Sequence, residues 1–369
     1  LKQIEAFEKK HPDIRVNIKA VASEQYKNNI EQWLQSESYS DVMFWFAGER
    51  LNWYADKGWV KPIDEAWQQY NWYQRITKSA QTTVMRGGNL YGLPIHYYHW
   101  GIYYKPRVFA KYGLKPPTTW EEFIVVCETL KSNGMIPITL GSKEVWPVAG
   151  WFDYLNLRLN GLPFHQSLLN GELSYTDPRV VSVFDHWSSL INKGFFIGDH
   201  QDMTWRQSLP YLYRDLAGML LMGNFWTSQI PVHLRDDFSV FRFPKIDLDM
   251  PWYEEAPTDV LFIPENVVNY KEAKLFLNFM SQANVQQSLN DAAGMLAPQN
   301  NLSHSKDHFI EAGEGILQSA LGASQYYDRD SPKPIATEGM QQMQRFMLSP
   351  DTLPSVLKRL DELREQSLK

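Results

Sequence analysis

The 369-residue sequence has little of what marks a redox, metal-binding or membrane-spanning protein. It contains one cysteine, Cys127, so it can form no intramolecular disulfide and has no CxxC pair for zinc. Cys127 shares an i, i+3, i+4, i+7 stripe with Phe123, Val126 and Leu130, and a buried, inert thiol is expected. It therefore does not choose a compartment. No stretch approaches the ~18 apolar residues of a membrane span. There is no basic excess: 36 Lys and Arg stand against 42 Asp and Glu, a net charge of −6, which argues against a nucleic-acid partner. No leader is legible, because Leu1-Lys2-Gln3-Ile4 already reads as helix; in an exported chain the signal would have been removed. GxSxG, HExxH, a P-loop and a strand-linked GxGxxG are all missing, as are internal repeats. His96 and His99 lie three apart in an expected strand, on opposite faces, which does not suit a shared metal. Neither a cofactor nor a metal is expected, and no catalytic residue is assigned.

Aromatic residues are what the sequence has in excess: 14 Trp, 19 Tyr and 19 Phe, 14% of the chain. Many sit at strand ends or beside Gly and Asn rather than on helical stripes. A rigid ring with an apolar face and a polar edge suits sugar recognition, the CH face of a pyranose packing on the ring while polar neighbours take the hydroxyls. The length predicts two domains.

Periodicity predicts a helix over residues 1–10 with Leu1, Ile4 and Phe7 inward, a strand over Ile14–Ala20, a helix carrying Tyr26, Ile30, Trp33 and Leu34, and a buried strand over Asp41–Phe46. This alternation predicts a parallel sheet flanked by helices, with ligands beyond the strand ends near Trp45, Phe46, Glu49 and Arg50. Arg86-Gly87-Gly88-Asn89 reads as a hairpin turn. His96–Tyr104 reads as one aromatic strand, and Thr119 with Glu122 has capping-box spacing. Asp177 caps a further helix. Trp151 is expected to pack internally, since Phe152, Leu155 and Leu159 share its helix, and Met340, Met343 and Met347 form another core stripe. Glu254-Glu255 and Asp236-Asp237 are adjacent carboxylates; strand neighbours face opposite ways, so solvated charge rather than a catalytic pair is expected.

From Tyr91 to Ile138 a YGLP turn, an aromatic strand ending Tyr103-Tyr104-Lys105, a helix ending Lys111-Tyr112-Gly113-Leu114, the run Pro116-Pro117-Thr118-Thr119-Trp120-Glu121-Glu122-Phe123 and a Gly134-to-Ile138 strand follow in order. In this the chain resembles the extracellular sugar- and oligosaccharide-binding proteins of ABC importers. Further matches are Gly223-Asn224-Phe225-Trp226 after a buried strand, the helix after Asn269, and Gly294-Met295-Leu296-Ala297-Pro298. The resemblance implies an α/β, type II periplasmic-binding-protein fold: two lobes, each a mostly parallel sheet flanked by helices. It implies an N-terminal lobe of 1–102 plus 262–298, a C-terminal lobe of 103–261 plus 299–369, and hinge segments near 101–104, 258–262 and 297–301. It further implies one strand ahead of the first helix that this sequence does not show.

The same resemblance implies a sugar bound in the interlobe cleft by hinge closure, a membrane permease as partner, a monomer, and a periplasmic or extracellular location. Candidate ligand residues are Trp45, His96, Tyr97, Tyr98, Trp146, Asn224, Trp226 and Asp259, with Trp226 foremost because it follows a strand end at the family's position. Two alternatives stay open. One is a glycoside hydrolase, which needs two carboxylates about 5 to 10 Å apart, drawn from Glu144, Glu254 and Asp259. The other is the same fold with a charged solute, for which Arg50, Arg86 and Lys143 are at hand.

Overall fold

The structure, a computed structural model, describes residues 2–36, 39–300, 302, 305 and 307–367. Leu1 and Asn301, to which expectations were attached, lie outside them. The chain divides into two compact units: Leu1–Tyr97 with Thr258–His304, and Tyr98–Pro257 with Ser305–Lys369. Exchanges between them therefore fall at Tyr97–Tyr98, at Pro257–Thr258 and between residues 304 and 305. The strands in chain order are β1 (Met43–Phe46), β2 (Met85–Arg86), β3 (Asn89–Leu90), β4 (Leu93–Tyr97), β5 (Trp100–Tyr104), β6 (Ile136–Ile138), β7 (Ala217–Gly223), β8 (Ser239–Phe241), β9 (Tyr253–Glu255), β10 (Thr258–Phe262) and β11 (Gly322–Ser324).

In the first unit the sheet runs β1-β10-β4, antiparallel at both joins. Met43 and Trp45 turn into the core, while Phe44 and Phe46 on the other pleat face stay half-buried. Around Trp45 the core collects Phe7, Leu51, Trp67, Trp72, Phe262 and Leu277. The indole of Trp67 donates to Gly92 O at 3.2 Å, which satisfies the one polar atom of a sealed ring. β2 and β3 form the expected hairpin; Gly87 (φ 56°) and Gly88 (φ 84°) supply the two left-handed residues its turn demands.

Two expectations fail here. Ile14–Ala20 alternates but joins no ladder, and Ile18 is 54% exposed. Alternation says which side chains share a face, whereas a strand also needs a neighbouring backbone to bond. Between this segment and β1 lies a groove of about 680 Å³ lined by Phe7, Ile14, Val16, Tyr26, Phe44 and Phe276. The sheet of this unit is also not mostly parallel: β10, entering from the second unit, runs antiparallel to both its neighbours.

In the second unit the sheet order is β6-β7-β5-β8, parallel only at β6-β7, and β9 pairs with β11 in parallel. β7 is buried along its whole length. Helices surround the sheet: Trp120–Ser132, which starts on the Thr119–Glu122 capping box and buries Cys127 and its stripe, packs on β6; Trp146–Leu169 packs on β7; and against that helix lie Pro178–Asn192, capped by Asp177, and Lys333–Leu348, whose methionines 340, 343 and 347 are core. Trp151 is internal, as expected. The single strand expected over His96–Tyr104 is two strands. β4 ends at Tyr97, β5 begins at Trp100, and they belong to different units.

Candidate functional site

The first unit assembles its polar group at one row of its sheet. Register places Phe46 opposite Asp259 and Asp259 opposite His96, so the three share a pleat face. The register with β4 shifts between Asp259 and Val260, where Ile95 is the extra residue on β4 just before His96. His96 Nε2 lies 2.8 Å from Asp259 Oδ2, with the two side chains 12% and 6% exposed. The carboxylate accepts, so Nε2 carries the hydrogen, and Nδ1 is buried with no hydrogen-bond partner among the described residues. Phe44 lies beside His96, ring centroids 6.1 Å apart, and Arg50 sits over the Phe46 ring at 5.3 Å.

Trp45 does not join this group. It is 1% exposed, donates its indole N–H to Arg50 O at 3.2 Å, and packs on Tyr26 and Tyr54. In the run Met43-Phe44-Trp45-Phe46 both faces are apolar, so the pattern did not say which ring turns outward; Phe46 does. Tyr97 is half-buried and tied by its backbone to Leu296, N–H to O at 2.9 Å in each direction.

The second unit carries an aromatic wall. Tyr98, 6% exposed, accepts a hydrogen bond on its hydroxyl from Arg329 Nη2 at 2.6 Å, and the guanidinium lies 5.4 Å from its ring centroid. Phe225 stands edge-on to Tyr98 (5.2 Å, 84°) and to Trp205 (5.7 Å, 83°), and lies 6.0 Å from Trp146. Trp146 and Phe225 are the half-buried members. Gly223 makes this packing possible: a Cβ there would lie 2.6 Å from the Phe225 ring and 3.0 Å from that of Tyr98. Trp146 opens its helix behind Val145, a β-branched residue at φ 55°, a strained conformation held where the wall is built. Behind the wall Tyr326 stacks on Trp100 at 4.8 Å and donates its hydroxyl to Trp146 O. His99 is sealed beneath, and burial pushes its imidazole down to about 3, so it stays neutral.

Trp226, the foremost expectation, is not part of the wall. It is fully buried against Tyr103 (5.0 Å, 82°) and Phe238 (5.5 Å, 90°). The segment Asn224–Gln229 is a 3₁₀ turn, in which consecutive side chains diverge by about 120°. When Phe225 faces the wall, Trp226 must face the core. Asn224 is buried too, its N–H donating to His99 O at 2.9 Å. Thus Tyr98 and Trp146 come together in one unit, and His96 and Asp259 in the other. Phe225 was legible as the neighbour of a predicted ring. Arg329 and Tyr326 come from the far end of the chain and left no local signal.

Glu254 and Glu255 are not solvated. Both are fully buried, on opposite faces of β9. Glu254 takes Arg158 at 2.9 Å and Arg242 at 3.0 Å; Glu255 meets Asp153. Among the described residues no group of three or more His, Cys, Asp or Glu could hold a metal ion, and no helix is long and apolar enough to cross a membrane.

Residues 2–287 match the family described as bacterial extracellular solute-binding protein. An uncharacterized ABC transporter extracellular-binding protein of Pyrococcus horikoshii is 24% identical over 307 residues, 79% of this chain and 66% of that one, so the match spans just under two thirds of that relative. The multiple sugar-binding protein of Streptococcus mutans is 24% identical over 251 residues, 62% of this chain and 58% of that one. Among solved structures, the bacterial solute receptor AcbH, described as having an exclusive preference for β-D-galactopyranose, is 26% identical at a TM-score of 0.91, covering 100% of this chain and 94% of that one. A chitin oligosaccharide binding protein shares the fold at a TM-score of 0.90 and 17% identity, over 99% and 93% of the two chains.

Proposed function

We propose that this chain, which belongs to the bacterial extracellular solute-binding proteins, is the carbohydrate-binding component of an ABC importer and returns its ligand unchanged. The observation that carries the carbohydrate reading is the wall of Trp146, Phe225 and Tyr98: two half-buried rings beside the buried Tyr98, braced from behind, with a fixed guanidinium at one edge. A pyranose offers an apolar CH face to such rings and hydroxyls to the polar rim. In the first unit His96 Nδ1, buried and without a partner among the described residues, is a polar atom for a sugar hydroxyl to meet, its ring orientation set by Asp259. We assign Tyr98, Trp146, Phe225, Arg329, His96, Asp259, Tyr97 and Asn224 to ligand contact or to its immediate support. Trp45 and Trp226 are left to the cores. The likeness to AcbH, a galactopyranose receptor, and to the sugar-binding protein of Streptococcus mutans supports the same reading.

Capture is a population shift: the solute stabilises the conformer it contacts best, and a membrane permease reads that conformer rather than the sugar. The place of action is the periplasm or the outer face of the cell membrane. A hydrolase is disfavoured because the nearby carboxylates are engaged. Glu254 is paired with two arginines, Asp259 with His96, and Glu144 accepts from Trp205 N–H at 3.2 Å.

A thermal-shift screen of mono- and oligosaccharides tests the proposal, since a ligand that binds only the folded state raises its melting temperature. Galactose, chitin fragments and xylan fragments belong in the first panel. Stabilisation by amino acids or metal ions with none by any sugar would overturn the carbohydrate assignment. Product appearing from an oligosaccharide would overturn the non-catalytic one.

A further inference from the structure

We infer that Asp153 and Glu255 share a single proton in the folded protein, and that this proton latches β9 and the Tyr326–Arg329 segment to the helix Trp146–Leu169 behind the aromatic wall. Both carboxyls are fully buried, and each faces the other at hydrogen-bond range. Asp153 Oδ2 accepts the Tyr327 N–H at 2.8 Å, but Asp153 Oδ1 and both oxygens of Glu255 find no N–H or O–H donor among the described residues. Two bare carboxylates in contact, out of water and undonated, repel strongly. One proton between them turns one oxygen into a donor and the other into its acceptor.

On β9, the neighbouring Glu254 faces the other way and takes Arg158 and Arg242. From the segment after β11, Asp328 and Asp330 add negative potential, while Arg329 is aimed at Tyr98. On the helix itself, His165 Nε2 stands 3.8 Å from Asp153 Oδ1, its Nδ1 is bonded to Asn156, and burial pushes it down to about 3, so it is neutral. The hydroxyls of Tyr154, Tyr175, Tyr326 and Tyr327 are pushed up by burial and stay protonated. Desolvation therefore raises both carboxyls above the ordinary range; the charge of Asp153 raises Glu255 further, and those of Asp330 and Asp328 raise Asp153, while the bond from Glu255 offsets part of the rise at Asp153.

The latch matters because of what it holds. Tyr327 N–H is anchored on Asp153, the adjacent Tyr326 braces Trp100 and Trp146, and Arg329 two residues on holds Tyr98. β9 itself ends just before the chain passes to the first unit at Pro257–Thr258. A folded state that keeps a proton the unfolded chain releases loses stability as pH rises from the ordinary carboxylate range toward the folded value.

The test is the melting temperature of the full chain, without solute, across about pH 5 to 9 for the wild type, Glu255→Gln and Asp153→Asn. In Glu255→Gln a fixed amide N–H replaces the shared proton and donates to Asp153. The wild type is expected to lose melting temperature toward alkaline pH, and Glu255→Gln to run flatter. Infrared spectra of the wild type near neutral pH should carry the carbonyl band of a protonated carboxylic acid, absent from both variants. Parallel pH profiles for the wild type and Glu255→Gln would overturn the latch. So would a wild-type spectrum without that band, which decides the matter even if the variants fail to fold. No sugar enters the experiment, so its failure leaves the carbohydrate assignment untouched.

Discussion

The 3₁₀ turn after β7 sets two adjacent rings on opposite duties, and substitution separates them. Trp226 is sealed against Tyr103 and Phe238, so Trp226→Ala removes a whole buried ring. Large-to-small changes of this kind cost about 3 to 5 kcal/mol. In a unit of this size each kcal/mol moves the melting temperature by about 2 to 4 °C, so a fall of about 6 to 20 °C is expected. Trp146→Ala removes a half-buried ring at the start of a helix, and its main effect falls on the ligand. If a sugar covers about 70 Å² of that ring, the lost burial is ~1.8 kcal/mol. That weakens binding about 20-fold. Scanning calorimetry of both variants, with calorimetric titration of the sugar that gives the largest thermal shift, reads the two quantities separately. Folded Trp226→Ala should bind within about threefold of the wild type, since 0.6 kcal/mol is the scale of a relayed packing change. Unchanged affinity in Trp146→Ala, or a Trp226→Ala that keeps its melting temperature and loses the sugar, would refute the division of roles.

Tyr98→Phe removes the acceptor of the Arg329 N–H and should cost about 1 to 3 kcal/mol of stability by denaturant unfolding, with a loss of affinity that Arg329→Ala does not deepen when the two are combined. Asp259→Asn keeps the shape but frees the His96 ring to change tautomer, so sugar affinity should fall several-fold while the melting temperature moves little. Gly313→Ala places a Cβ 2.0 Å from His99 Nδ1, a ring with nowhere to go, and should destabilise by about 1 to 3 kcal/mol or more in thermal unfolding. For the shared proton, the difference in stability between wild type and Glu255→Gln should change by up to about 1.4 kcal/mol per pH unit while the folded state holds that one extra proton, falling with rising pH.

Where local chemistry decided the outcome, the sequence could be read. Thr119 and Glu122 form their capping box, Gly87-Gly88 closes its hairpin, Cys127 lies on the buried stripe, and the methionines of Lys333–Leu348 are core. These features need only neighbours along the chain. Reading failed where a partner far away in sequence, or none at all, decided. Ile14–Ala20 alternates without a strand to bond, and His96–Tyr104 is aromatic throughout yet divided, because the chain changes units at Tyr97–Tyr98 with no Gly or Pro to mark it. Trp45 turns into the core, which an apolar run of four, with no polar side to orient it, does not reveal.

Glu254 and Glu255 show how far adjacency can mislead. Strand geometry does send them to opposite faces, but adjacency says nothing of what each face holds. One face offers two arginines contributed by the helix Trp146–Leu169 and the segment after β8. The other offers a second acid. A buried pair with cations on one side and a shared proton on the other costs more than an apolar core of the same volume. Such a cost persists where it is offset by what the pair positions. Here that is the backbone N–H of Tyr327 and, through its neighbours, the ring of Trp146 and the hydroxyl of Tyr98. The polar network and the aromatic wall are on this account one construction. In the proposed assignment the rings meet the solute, and the acids fix the angle at which they do so.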